Sequence, residues 1–444
     1  ASPDNLHYSF TLREGLKFSD GTPLTTKDVI ASIKRWGARD NLGAKLLAAA
    51  EKLEAKDDRT FTLDFKKPFG MVLDAFSKPS SIPLFVMPEK VAQTDPFKQI
   101  TDMTGSGPYM FAADRYRPGE KVVYLKNPYY VPRNEPADGT AGGKHVYVDE
   151  LDWVILRDAQ TVANAIEKGE VDVVEMVPNE QYSVLKKNPD IQLLNQTGKQ
   201  SAMLHLNHAI PPFNNPKIAQ AALMAINQAA LQRAQIVHKE LWNTCTSIYP
   251  YGSLYASDKT DYFTGKPQFK RAQELLKEAG YDGTPVVLML PADMPSLNKY
   301  PPVMAELLRR AGFKVDLQSM DWATLVTRRT KSSPVSEGGW NGFITFWNQA
   351  DTFNPLFFAP LTGSGLKGWF GWTDDPKLEA LKDEFVGTSD LAKRKELAEG
   401  IQLRVMDSGV YGMLGEAKPI IALRKNISGL VEAPISVFWG LKKD

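Results

Sequence analysis

Five of the nine tryptophans, Trp322, Trp340, Trp347, Trp369 and Trp372, fall within 51 residues. Among them stand Asn341, Asn348, Gln349 and Asp351, polar groups that cost free energy to bury unless they are satisfied. Asn348 and Asp351 directly follow a strand pattern, Gly342 to Phe346. Flat aromatic surfaces with a few convergent polar groups at the carboxyl end of an α/β strand are what a small-molecule cleft requires. In that reading Trp347 and Trp369 supply stacking area at low entropy cost, Trp340 is a further ligand-binding candidate, and Asp351 and Asn348 set the orientation of a solute. A Trp-rich core with solvated loop polars accounts for the same residues, and composition by itself favours that second reading.

Reactive chemistry is hard to find elsewhere. The chain has no HExxH, GxSxG, GxxxxGK[ST] or EF-hand loop. Gly363 to Gly368 satisfies GxGxxG, but Trp369-Phe370-Gly371-Trp372 follows it, which is no start for the helix a dinucleotide site needs. The five histidines show no metal spacing on a helix, and His205 and His208, in or just after a strand, lie on opposite faces and read as structural. No cofactor or metal is expected. Two facing carboxylates could come from anywhere in the chain, so an envelope hydrolase with a Trp-lined cleft stays open as a reading from a different class.

The elements that must position these residues alternate. Residues 6 to 12 read as a strand, and a helix follows near Thr25, where Asp28 completes capping-box spacing. Phe61 to Phe65 is a second strand, Phe69 to Val86 an apolar segment, and the Gly/Pro-rich stretch from Asn127 to Gly143 a connecting loop. Tyr147 to Leu156, Thr161 to Lys168 and Val171 to Val177 form a strand, helix, strand unit. Met203 to Asn207 is a further strand before a helix running from Pro216 through Ala230. Beyond it come a helix from Pro267 to Ala279, a strand from Val286 to Leu290, a helix from Pro302 to Arg310, a strand from Phe313 to Leu317, and the strand at Gly342. Such alternation argues for α/β layers with crossover connections. The strand-like tail, Val410 to Asp444, is too short for a domain and must return to an earlier one.

Composition narrows the class. The 444 residues correspond to two large domains or about three ordinary ones at roughly 150 residues each. With 43% hydrophobic and 24% charged residues the chain is an ordinary globular protein. Fifty-three Lys+Arg against 52 Asp+Glu leave a net charge of +1, which removes the electrostatic argument for nucleic acid or an anionic membrane. Cys245 is the single cysteine, so no intramolecular disulfide can form. So few thiols suit a bacterial envelope protein. No stretch reaches the ~20 apolar residues of a membrane span.

Beside these features stands a set of motifs. Leu12-Arg13-Glu14-Gly15-Leu16-Lys17-Phe18-Ser19-Asp20-Gly21-Thr22-Pro23-Leu24, with Asp28-Val29 and Ser32-Ile33-Lys34-Arg35, resembles the signature of the extracellular solute-binding protein family 5, the dipeptide, oligopeptide and nickel type receptors of ABC importers. Gly105-Ser106-Gly107-Pro108-Tyr109 with Asn127-Pro128-Tyr129-Tyr130, Gly169-Glu170-Val171-Asp172, and Pro212-Phe213-Asn214-Asn215-Pro216 with Ala225-Ile226-Asn227 resemble later blocks in order. Ala272 to Tyr281 and the closing Phe438-Trp439 extend the resemblance over essentially the whole chain.

The resemblance implies an α/β, two-lobed periplasmic-binding-protein-like fold with a hinge and an accessory subdomain in the first lobe. It implies residues 1–140 as the accessory part, 141–255 as the core of lobe one completed by 416–444, and 256–415 as lobe two. It also implies an N-terminal stretch ahead of Ala1, carrying the first strand of lobe one. The function implied is non-enzymatic: a periplasmic or membrane-associated receptor, monomeric by default, that closes on a small peptide-like or amino-bearing solute and delivers it to the permease subunits of an ABC transporter. An opine, sugar or oligosaccharide is the alternative cargo. In peptide-binding members an Asp four residues before a Pro neutralises the ligand's α-amino group, which maps onto Asp351 before Pro355. Dipeptide binders carry an Arg in the loop after the strand matching Val286 to Leu290, where this chain has Pro291-Ala292-Asp293-Met294-Pro295-Ser296. With Asp293 in that loop and tryptophans clustered nearby, a cationic amine, a longer peptide, an amino-acid and sugar conjugate and an oligosaccharide all stay open as the solute. Tyr109 and Phe76 to Pro83 border the cleft in the family.

Overall fold

The computed structural model describes residues 1–195 and 198–444. The chain forms two compact units, one of residues 1–198 with 419–444 and one of residues 199–418. The first unit therefore includes the C-terminal tail. Residues 199–255, expected in the first lobe, belong to the second unit because Gln200–Leu206 is a central strand of its sheet.

The first unit is assembled from small antiparallel sheets. His7–Thr11, Thr60–Phe65 and Ala50–Ala55 pair with Thr60–Phe65 in the middle. Against them lies the helix Thr26–Gly37, whose Val29 and Ile33 pack on Phe61. Its start is the expected capping box: the Asp28 carboxylate accepts from the Thr25 backbone N–H at 2.8 Å. A second sheet contains Tyr109–Phe111, Lys121–Lys126 and Glu150–Val154. A third contains Val173–Val174, Ile420–Arg424 and Ile191–Asn195, so the tail strand pairs on both sides with earlier ones. Edge strands Glu150–Val154 and Val173–Val174 line one cavity of about 620 Å3, with Trp153, Phe438 and Leu441 among its walls.

The second unit is built on one mixed six-stranded sheet. Its strands are β1 (Gln200–Leu206), β2 (Trp242–Asn243), β3 (Val286–Pro291), β4 (Val315–Met320), β5 (Gly342–Asn348) and β6 (Tyr411–Ala417), in spatial order β2-β6-β1-β5-β3-β4. Strand β3 runs parallel to β4 and β5, as the crossover helix Tyr300–Arg310 requires, while β1 is antiparallel to both of its neighbours, β5 and β6. Because side chains alternate along a strand and paired residues share a face, the register sorts this sheet into two surfaces. Leu204, Leu288 and Ile344 lie on one, each fully buried. His205, Met289, Phe343 and Trp347 lie on the other.

The expected helix from Pro216 through Ala230 is two helices, Pro216–Met224 and Gln228–Gln235. Asn227 breaks it: in an extended conformation its side chain accepts from the Ala230 N–H and starts the second helix. Cys245 is buried, and burial together with the nearby Glu416 carboxylate pushes its thiol pKa up.

Candidate ligand-binding site

Of the site candidates, Trp347 and Trp369 lie on the second surface of the six-stranded sheet. Strand β5 carries Phe343 at its centre and Trp347 near its end. A helix, Trp322–Arg328, follows β4 directly and is capped by Asp321, whose carboxylate accepts from the Thr324 N–H. Opposite them runs the segment 369–372. It is pinned to the sheet where the His208 N–H donates to Gly371 O at 2.7 Å, and a Cβ at position 371 would sit 2.8 Å from Leu206 O. Trp372 holds a left-handed φ of 50°, a strained backbone for a bulky side chain that places its ring against Trp340.

These elements make a continuous aromatic wall. Trp347 and Trp369 meet edge-on with centroids 5.5 Å apart, Trp347 stands perpendicular to Phe358 at 5.0 Å, and Trp369 touches Phe370 at 4.9 Å. Both tryptophans are half-buried, so part of each ring reaches solvent. His205 lies behind them, 5.0 Å from Phe343 and 4.9 Å from Trp369. It is 2% exposed, and burial first, then the positive Arg329, holds its pKa down to about 3. The imidazole is therefore neutral, and its Nε2 accepts from the Trp347 Nε1–H at 3.2 Å, which leaves the ring proton on Nδ1. Neighbouring His208 is likewise held down to about 4 by burial.

The polar residues expected to orient a solute follow Trp347. Asn348 and Asp351 form a reciprocal capping box on the short helix Gln349–Thr352, with the Asn348 N–H donating to Asp351 Oδ2 at 3.3 Å. The Asn348 side-chain oxygen also accepts from Gln200 at 3.3 Å. Asp351 is buried, so the turn that presents it is fixed by its own carboxylate.

Trp340 stands apart from the rest and corrects the expectation of a ligand contact. It is fully buried in a core of Met289, Leu325, Phe343 and Trp372, and its indole N–H donates to Arg329 O at 3.2 Å. A ring with no surface supports the wall from behind. Asp293 is exposed, and its Oδ1 accepts from the Trp322 N–H at 2.7 Å, which ties the loop after β3 to the helix after β4. Tyr109 lies in the first unit, half-buried, with its hydroxyl donating to Phe438 O at 3.1 Å; burial pushes its pKa up to about 12. It holds the tail of its own unit.

Arg329 escaped the sequence reading. Its guanidinium carbon lies 5.2 Å from the Phe370 ring centroid, 5.6 Å from Trp322, and 5.8 Å from both Phe343 and Trp369. The signal was available: Arg329, the αR C-cap of the helix Trp322–Arg328, continues the i, i+3, i+7 spacing of Trp322 and Leu325, so the arginine falls in line with the apolar stripe. Among the described residues no group of His, Cys, Asp and Glu is arranged to hold a metal ion.

The family model of the bacterial extracellular solute-binding proteins, family 5 Middle, matches residues 1–369. This chain is a family 5 solute-binding protein. It is 35% identical over 449 residues to the probable peptide ABC transporter periplasmic-binding protein y4tO of Sinorhizobium fredii, covering 100% of this chain and 83% of that protein. The glutathione-binding protein GsiB of Escherichia coli K12 is 26% identical over 452 residues, covering 98% and 82%. Among solved structures, AgaA with agropinic acid from Agrobacterium tumefaciens R10 superposes with a TM-score of 0.79 at 23% identity, covering 100% and 88%. DppA of Helicobacter pylori with the peptide STSA gives 0.79 at 20%, covering 100% and 87%. The family is one of receptors for ABC importers rather than enzymes, and family 5 proteins work outside the cytoplasmic membrane. Among the described residues no helix is long and apolar enough to cross a membrane.

Proposed function

We propose that this family 5 receptor captures a small peptide-like solute bearing an amine and hands it to the permease of an ABC importer. The observation that carries the reading is the half-exposed Trp347–Trp369 wall with Asp351 fixed at the end of the strand that bears it. The rings give flat apolar area, and the carboxylate gives a charge-assisted partner for an ammonium group. The y4tO relative, named for peptide transport, supports the same cargo class. Asn348 orients the solute, and closure of the two lobes on it shifts an open population to a closed one, because only a ligand that interacts differently with the two states can move that equilibrium.

Thermal melting with a panel of short peptides, opines, sugars and polyamines tests this. A true ligand at one hundred times its Kd stabilises by about 2.7 kcal/mol through mass action and is recovered unchanged. A Tm rise confined to sugars would replace the cargo class, and chemical conversion of any panel member would end the receptor reading. Asp351→Asn is expected to weaken amine-bearing ligands at least tenfold.

A further inference from the structure

Trp347 and Trp369 come from different parts of the chain, one on β5 and the other on the segment 369–372, yet a single strand stands behind both. His205 of β1 pairs in register with Phe343 of β5 on one side and with Tyr411 of β6 on the other. Its backbone is therefore held along both edges, and its imidazole contacts both of those rings, stacked 5.0 Å from Phe343 and tilted 6.1 Å from Tyr411. From that fixed place Nε2 accepts from the Trp347 Nε1–H at 3.2 Å, and the ring meets Trp369 at 4.9 Å. Three residues on, the His208 N–H holds Gly371 O, so the same stretch of chain also fixes the segment that carries Trp369. The contacts of Trp347 with Phe358 and Trp369 are apolar and weakly directional, whereas a hydrogen bond fixes which edge of the indole faces inward. Its acceptor also differs in kind from those of Trp36 and Trp340, which donate to the backbone carbonyls of Ile82 and Arg329. Any residue supplies a carbonyl; Trp347 needs one particular side chain in its neutral form, because a protonated imidazole has no acceptor.

We propose that His205 is the positioning residue of the tryptophan wall: it holds Trp347 by the indole N–H and backs Trp369, so that both rings stand in one orientation before a solute arrives. This role rests on the wall being the ligand site. His205 touches no solute itself and acts through the two indoles. A wall set in advance spares the entropy of ordering two side chains on binding. The bond also sets specificity. The one polar hydrogen of Trp347 is taken up inside the protein, so this ring meets a solute with its π surface. It favours apolar and cationic groups over hydrogen-bond acceptors.

Calorimetric titration with trialanine and with Ala-Phe-Ala tests this on wild type, His205→Leu, His205→Gln, Trp347→Phe, Trp347→Ala and the double variant His205→Leu with Trp347→Phe. His205→Leu, which removes the acceptor, is expected to weaken both peptides about fivefold or more, and His205→Gln, which keeps one, to stay within about twofold of wild type. In the Trp347→Phe background, where no indole N–H remains, His205→Leu changes affinity by less than about twofold. The Trp347 indole N–H resonance, identified by its disappearance in Trp347→Phe, moves in His205→Leu and returns in His205→Gln. His205→Phe serves as a second acceptor-free variant should His205→Leu not fold. Wild-type affinity in the acceptor-free variant, or the same loss in the Trp347→Phe background, overturns the role of His205 and leaves the wall standing as the ligand site. Affinity unchanged by Trp347→Ala, or failure of wild type to bind either peptide, overturns the reading of the site and this role with it.

Discussion

The two surfaces of the six-stranded sheet share every backbone hydrogen bond yet have opposite chemistry. On one, Leu204, Leu288 and Ile344 are fully buried aliphatics, and Gly412 lies so close to Ile226 and Leu223 that a Cβ would meet an Ile226 carbon at 2.4 Å. On the other, His205, Phe343, Trp347 and Trp369 form a layer that contains a neutral histidine, half-exposed indoles and the ring contacts of Arg329. A period of two residues is enough to divide labour: one surface holds the sheet together, the other carries the half-exposed indoles proposed to meet a solute.

Truncating the aliphatic surface has the largest expected effect. Ile344→Ala costs about 2–5 kcal/mol, read as a lower urea midpoint, with affinity of the folded protein unchanged within about twofold. Trp369→Ala does the reverse, costing affinity at least tenfold with a smaller loss of midpoint. If Ile344→Ala harmed binding as much as Trp369→Ala, the division between the surfaces would be wrong.

Acid separates the surfaces next. The unfolded chain protonates His205 below its ordinary pKa of about 6.5, whereas the folded chain does so only near 3. Stability from this neutral imidazole is complete above about pH 6.5 and falls as the pH drops towards 3, by about 2 kcal/mol at pH 5. His208, folded value about 4, adds a similar loss. Denaturation midpoints at pH 7 and pH 5 measure both, and His205→Asn should remove its share of the slope. The smallest effect is expected of Trp347→Phe, which keeps the ring contacts but loses the N–H to His205, about 1 kcal/mol. A pH slope unchanged by His205→Asn would show that this histidine is not what makes the aromatic surface acid-sensitive.

Local signals were legible in the sequence wherever a side chain bonds its own backbone. Thr25 with Asp28 started a helix where expected, and Gly169, at φ 76°, ended one. The tryptophan cluster and the turn at Asp351 were also readable, since both lie within one short stretch. What escaped depends on distant partners. The helix Leu391–Ser408 has no counterpart in the expectation, because its buried face includes Gln402 and Ser408. Gln402 is satisfied by Ser247, Ile248, Ser257 and Lys259, more than 140 residues away in sequence. Trp340 and Trp347 are indistinguishable by type, and only the packing of Trp372 and Leu325 makes the first a core residue. The alternation of strands and helices pointed to crossovers but not to the antiparallel β1 at the centre, which moved residues 199–255 into the second unit.

Cys245 turns the second unit into its own timepiece. A lone thiol, enclosed and reluctant to ionise, reacts with an alkylating reagent only in molecules that have transiently opened around it. Mass measured over hours of labelling then counts those openings without any engineered probe, and a cargo molecule that binds this unit slows the count.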